Sequence, residues 1–134
     1  MNALTPEFRG YTISSGALAP TLSRAKALGA REVRVAIRAA SLNYRDLLIK
    51  RGQGGASLAE PVPLSDGAGE ITEVGPEVSD LKVGDRVMTS FFQTWMDGPF
   101  DPSYFAGAMG GSIDGVLAEQ IIAPETGLVR IPQL

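Results

Sequence analysis

Two short runs gather most of the side chains able to do chemistry. The first, Ser41-Leu42-Asn43-Tyr44-Arg45-Asp46, puts an amide, a phenol, a guanidinium and a carboxylate on four successive residues. Asn43 suits a helix N-cap and Gly52 suits a stop, so these groups fall where a strand gives way to a short helix. A helix N-terminus offers free N–H groups and a positive dipole end, which favour an anionic ligand. The same residues also make an ordinary capped helix, with Arg45 and Asp46 in water. In that reading Asp46 and Lys50-Arg51 simply sit at the ends that the dipole prefers. The second run is Ser65-Asp66, just before Gly67-Ala68-Gly69. An acid at a strand entrance, beside glycines, can face a cleft; it can equally close a turn by accepting from nearby backbone N–H groups. A third feature is aromatic. Phe91, Phe92, Trp95, Phe100, Tyr104 and Phe105 lie within 15 residues. They suit an apolar substrate pocket, and equally a satellite core under a long loop or a partner contact.

What is missing narrows the chemistry. The chain has no cysteine and no histidine, which removes disulfides, thiolate nucleophiles and any Ser-His-Asp triad. Zinc sites lean on Cys and His, so no metal site is expected. No G-x-G-x-x-G occurs, and no β-α-β unit surrounds Gly67-Ala68-Gly69, so a dinucleotide fold is not expected within these residues. Twelve basic and fifteen acidic residues give a net charge of −3, without the basic footprint of a nucleic-acid binder. No stretch approaches the length of a membrane span, and the first ten residues lack the apolar core of a secretion signal. The cytoplasm is the expected location, by elimination.

The elements that must position these groups are mostly strands. Phe8 to Ser14 reads as an opening strand, and Thr21 to Leu28 as a short element leaning to strand. Glu32 to Leu42 is the clearest strand, with Val33, Val35, Ile37 and Ala39 alternating against Arg34, Ala36 and Arg38. The short helix over residues 44–51 follows. Gln53 to Pro63 reads as a loop, Gly67 to Val74 as a strand, and Pro76 to Lys82 as a reversal. Arg86 to Phe92 is the next strand, and Gln93 to Gly111 a long irregular segment. Ile113 to Ala123 and Leu128 to Ile131 close the chain as strands. Several short strands, turn signals and one helix predict a mostly-β barrel or sandwich.

Five segments in register resemble the catalytic domain of medium-chain dehydrogenases/reductases, whose fold is called GroES-like. They are Glu32-Val33-Arg34-Val35, Ala39-Ala40-Ser41-Leu42-Asn43-Tyr44-Arg45-Asp46, Pro63-Leu64-Ser65-Asp66-Gly67-Ala68-Gly69-Glu70, Val74-Gly75 and Val83-Gly84-Asp85-Arg86-Val87. The similarity runs from about Arg31 to Leu134. In zinc alcohol dehydrogenases the position of Asn43 holds a cysteine ligand, and a His-Glu pair stands where this chain has Ser65-Asp66. The resemblance is therefore to the zinc-independent branch, similar to quinone oxidoreductases, in a group described as quinone reductase-like or alcohol dehydrogenase-like.

That resemblance implies a GroES-like, partly open barrel with one or two short helices and no Rossmann domain, a single domain over residues 1–134. It implies hydride transfer between NADPH or NADH and a small molecule: a quinone, a carbonyl or an activated alkene. Carried over by position, Asn43 lies near the nicotinamide and the reacting oxygen, and Tyr44 near the cofactor. Arg45 occupies a proton-relay position; it stays charged, so an anionic group of substrate or cofactor is its expected partner. Asp46 orients Arg45 or backbone. Asn43, Arg45 and Asp46 are thus the expected catalytic group, and Ser65, Asp66, Phe92 and Trp95 the expected substrate pocket. Relatives often carry a Gly-Tyr after the short helix, where this chain has Gly52-Gln53-Gly54-Gly55. The family's active site lies between two domains, so the isolated chain is expected to be inactive. The competing expectation is a stand-alone GroES-like binding module. An apolar docking surface left uncovered invites a homodimer.

Overall fold

The computed structural model describes residues 6–133. The chain opens with an antiparallel hairpin, β1 (Glu7–Ser14) and β2 (Ala17–Arg24), paired from Glu7↔Arg24 to Ser14↔Ala17. Ser15 and Gly16 form its turn with φ of 51° and 75°, the pair of positive values that matches strand twist in a two-residue hairpin. The second strand therefore starts earlier than the sequence suggested and ends before Leu28. Pro20 is accommodated because β2 is an outer strand.

A five-stranded antiparallel sheet carries the rest, in the order β6-β3-β4-β5-β7. Its strands are β3 (Glu32–Ser41), β4 (Asp66–Val74), β5 (Arg86–Thr89), β6 (Gln120–Pro124) and β7 (Leu128–Arg130). Bulges between Arg34 and Val35 and between Ile37 and Ala39 interrupt the β3–β4 register and sharpen its twist. The sheet is a curled, partly open half-barrel, and the mostly-β expectation is borne out. Helix α1 (Tyr44–Lys50) follows β3 directly. Among the described residues no helix is long and apolar enough to cross a membrane.

The alternation in β3 sends Val33 and Val35 into the core, where they meet Ile71 of β4, Val87 of β5, Ile121 and Ala123 of β6 and Leu128 of β7. Leu64, Met109 and Val116 enter the same core from outside the strands. Each of these side chains other than Ala123 contributes about 1.5–3 kcal/mol by leaving water.

Two sequence expectations need correction. The strand expected over 113–123 is a strand only from Gln120. Before that, Gly115, Val116 and Leu117 donate to the carbonyls of Val62, Leu64 and Pro63, and Glu119 donates to Arg9. The segment changes partners too often for one ladder, and in doing so ties the hairpin to the half-barrel. The strand expected to reach Phe92 stops at Thr89, because Ser90 donates to Gly127 and the chain turns away.

A buried carboxylate braces the closing turn. Glu125 accepts from the backbone N–H groups of Ser79 (3.0 Å) and Asp80 (3.3 Å), and Arg31 lies 3.4 Å away. The Ser79 bond foremost holds this carboxyl below the usual glutamate range. A lowered folded-state pKa stabilises the fold above the unfolded value and is lost as pH falls through the folded one. Glu125→Gln is expected to cost about 1–3 kcal/mol at neutral pH. In urea melts the gap to wild type should close on acidification; a gap independent of pH would remove Glu125 from this role.

Candidate functional site

The site is built where β3, α1 and β4 meet. Ser41 of β3 pairs with Asp66 of β4, so the residues leaving β3 pass the Asp66 side chain. Asn43 there donates its amide Nδ2 to Asp66 Oδ2 at 2.8 Å. Its backbone is fixed from the other side, because Asn43 N–H donates to Asp46 Oδ2 at 2.7 Å. Asp46 is buried, and its Oδ1 has no hydrogen-bond partner. An amide nitrogen carries two protons, so while one N–H of Asn43 is held, the other has no partner among the described residues. Asn43 and Asp66 are both exposed. An open groove of about 450 Å³ runs past Asp66, lined by Ala39, Ala40, Ala68, Met88 and Thr89 among others. The small side chains of Ala39, Ala40 and Ala68 there leave the sheet surface low enough for a ligand to lie on it.

The entrance to β4 is under strain. Leu64 is buried with φ of 70°, a left-handed value that disfavours a branched residue and collects near functional sites. Its carbonyl accepts from Val116 at 3.0 Å. Ser65 is buried, and its carbonyl accepts from the Thr89 hydroxyl at 2.7 Å.

Arg45 turns toward the aromatic segment. Its guanidinium lies 4.8 Å from the centre of the Phe91 ring and donates to the Met109 carbonyl at 3.0 Å. Burial lowers its pKa from the usual arginine value, and an arginine stays charged regardless. Behind it the six rings form one cluster. Phe92 is the hub, with ring centroids 4.5 Å from Phe91, 5.9 Å from Trp95, 5.5 Å from Phe100 and 5.6 Å from Phe105. Trp95 stacks on Tyr104. Buried Gln93 anchors the cluster to the sheet by donating to the Ser90 and Gly127 carbonyls. The rings are not sealed: Trp95 is 39% exposed and Phe105 55%.

Residues 29–133, most of the chain, match the alcohol dehydrogenase GroES-like domain. The chain belongs to that family.

Known proteins sharpen the placement. A zinc-type alcohol dehydrogenase-like protein of Schizosaccharomyces pombe is 44% identical over 105 residues, covering 76% of this chain and 30% of that protein. A pikromycin polyketide synthase component of Streptomyces venezuelae is 47% identical over 107 residues, covering 79% of this chain but 2% of that protein. Among solved structures, an alcohol dehydrogenase assignment from Sinorhizobium meliloti 1021 superposes with a TM-score of 0.80 at 32% identity, over 95% of this chain and 39% of that one. The quinone oxidoreductase of Pseudomonas syringae pv. tomato DC3000 gives 0.70 at 26%, over 93% and 34%. This GroES-like domain thus spans well under half the length of these relatives.

Its donor set does not fit zinc. Asn43 and Ser65 are neutral oxygen and nitrogen donors, the chain has no Cys or His, and among the described residues no three of His, Cys, Asp and Glu converge. Of the residues singled out from sequence, the GroES-like fold joins Asn43, Asp46 and Asp66 into one hydrogen-bonded series. It puts Tyr44 beside them, 69% exposed. Arg45 and Phe92 belong to the aromatic cluster together with Trp95, while Ser65 is covered. Thr89 and Leu64 were not singled out. A threonine at the end of a strand carries no local signal of the turn it will hold, and a leucine gives none of a positive φ.

Proposed function

We propose that this chain is the catalytic-domain half of a zinc-independent NAD(P)H-dependent oxidoreductase that reduces a quinone, a carbonyl or an activated alkene. The observation that carries the reading is the Asn43 amide, held at its backbone by Asp46 and at one N–H by Asp66, with its second N–H free. A substrate oxygen gathers negative charge as it is reduced. A fixed N–H aimed at that oxygen stabilises the charge without having to reorient. Asp66 keeps the amide from rotating, and the low surface of Ala39, Ala40 and Ala68 receives the flat part of the substrate. The exposed Tyr44 ring is a cofactor contact, and NADPH or NADH, when bound, supplies the hydride. Arg45 fixes the aromatic cluster against α1, so Phe92 and Trp95 form one wall of the substrate side.

The test is a chimaera in which residues 29–133 replace the matching segment of the S. pombe relative. NADPH oxidation should appear with at least one of the three acceptor classes. The isolated chain should show no turnover and no micromolar binding in a fluorescence titration with NADPH. A folded chimaera that binds NADPH yet reduces none of them sinks the proposal. That outcome would favour a binding module working through the exposed faces of Trp95, Phe100 and Phe105.

A further inference from the structure

We propose that the Thr89 hydroxyl is a positioning group that aims Asp66 at Asn43. This rests on the reading of Asn43 as the oxygen-polarising amide. The β4–β5 ladder ends at the pair Ala68↔Met88. One residue further, where Gly67 would face Thr89, a side chain replaces the ladder. Thr89 Oγ1 donates to the Ser65 carbonyl at 2.7 Å and accepts from the Gly67 N–H at 3.0 Å. Those two groups belong to the two peptide planes that flank Asp66. Fixing both planes fixes the φ and ψ of Asp66, and with them the direction of its Cα–Cβ bond.

The β3–β4 ladder reaches Asp66 at its last pair, Ser41↔Asp66, and Thr89 braces the same residue from the β5 side, where the ladder has stopped. On the far side of Leu64, Val116 and Leu117 donate to the Leu64 and Pro63 carbonyls, which holds the strained residue but leaves Asp66 downstream of that brace. Asp66 is exposed, and among the described residues its hydrogen bond to a side chain is the one to Asn43. An exposed carboxylate with one such contact keeps its aim through its backbone. A hydroxyl suits the task because it both donates and accepts. Valine has the same shape and can do neither.

The experiment uses NMR on this chain. Solvent exchange of the Asn43 side-chain amide protons is measured in wild type, Asp66→Ala, Thr89→Val and Thr89→Ser. In wild type one Asn43 proton should be protected, and Asp66→Ala should abolish the protection. Thr89→Val should speed its exchange about tenfold, the equivalent of one ordinary hydrogen bond. Thr89→Ser should restore the wild-type rate. A merely structural threonine would lower the melting temperature and leave this rate alone. Should Thr89→Val not fold, Thr89→Cys, whose thiol is a weak donor, replaces it with the same expected order. Protection that depends on Asp66 but not on Thr89 overturns this inference alone. Wild-type protection insensitive to Asp66→Ala overturns it together with the reading on which it rests.

Discussion

Asn43→Ala in the chimaera lowers kcat by about 10²–10³, the usual effect of removing one preorganised donor to a developing oxyanion, while KM for NADPH changes little. The fold should survive. Asp46 accepts from the Asn43 backbone N–H, a bond that alanine keeps, so the start of α1 retains its brace. What alanine removes is the amide held against Asp66. Asn43→Asp is the sharper variant. It keeps the shape of the side chain but replaces the donor with a carboxylate oxygen beside Asp66. Two carboxylates that close cannot both ionise without penalty, so at neutral pH the loss should at least equal that of alanine. Because the free N–H serves only when charge builds on the substrate oxygen, kcat and kcat/KM for the acceptor should fall together. An alanine variant within about threefold of wild type in kcat would show that Asn43 does not face the reacting oxygen.

Where sequence and structure agree, a local pattern carried the information. The alternation around Val33 and Val35 reports one buried face of β3, and Asn43, Asp46 and Gly52 mark the ends of α1 within a few residues of one another. The resemblance placed Asn43 and Asp66 in one site, but not the hydrogen bond between them. That bond depends on the Ser41↔Asp66 register, which lies beyond two bulges that offset each other, an extra residue in β4 at Thr72 and one in β3 at Arg38. Where the two part, the deciding partner is remote in the chain. The plain capped-helix reading leaves Arg45 in water, yet its guanidinium lies on Phe91 and the Met109 carbonyl. Thr89 closes a turn formed by residues more than twenty positions earlier. Residues 113–119 have the composition of a strand, but their backbone N–H groups donate to Ala108, Val62, Pro63, Leu64 and Arg9, so pairing rather than propensity decided their shape. β-propensity describes a fit to neighbours, and neighbours are what one sequence does not display.

Gly115→Ala should be the most damaging single methyl in the described chain. A Cβ there would run into the carbonyl oxygens of Leu64 and Pro63, backbone atoms that cannot swing aside. Both carbonyls are already committed, to Val116 and Leu117, while Gly115 itself donates to Val62 at 2.7 Å. The two segments are thus laced together at a separation only glycine permits. Overpacking at such a point costs about 3 kcal/mol or more, a fall of about 10 °C in melting temperature for a domain of this size. Gly52→Ala is the control. Gly52 has φ of 70° with nothing within 4 Å of an added Cβ, so alanine there meets only conformational strain, about 1 kcal/mol. The two variants separate contact from backbone freedom, since Gly115 lacks a positive φ. The damage at Gly115 should also reach the site. Leu64 is the residue displaced, and its strained turn leads straight into Ser65 and Asp66. In the NMR experiment Gly115→Ala should therefore expose the Asn43 side-chain amide under conditions where the domain is still folded. An equal stability loss for both glycines, or an Asn43 amide indifferent to Gly115, would mean that the 115–117 crossing supports the barrel without setting the site.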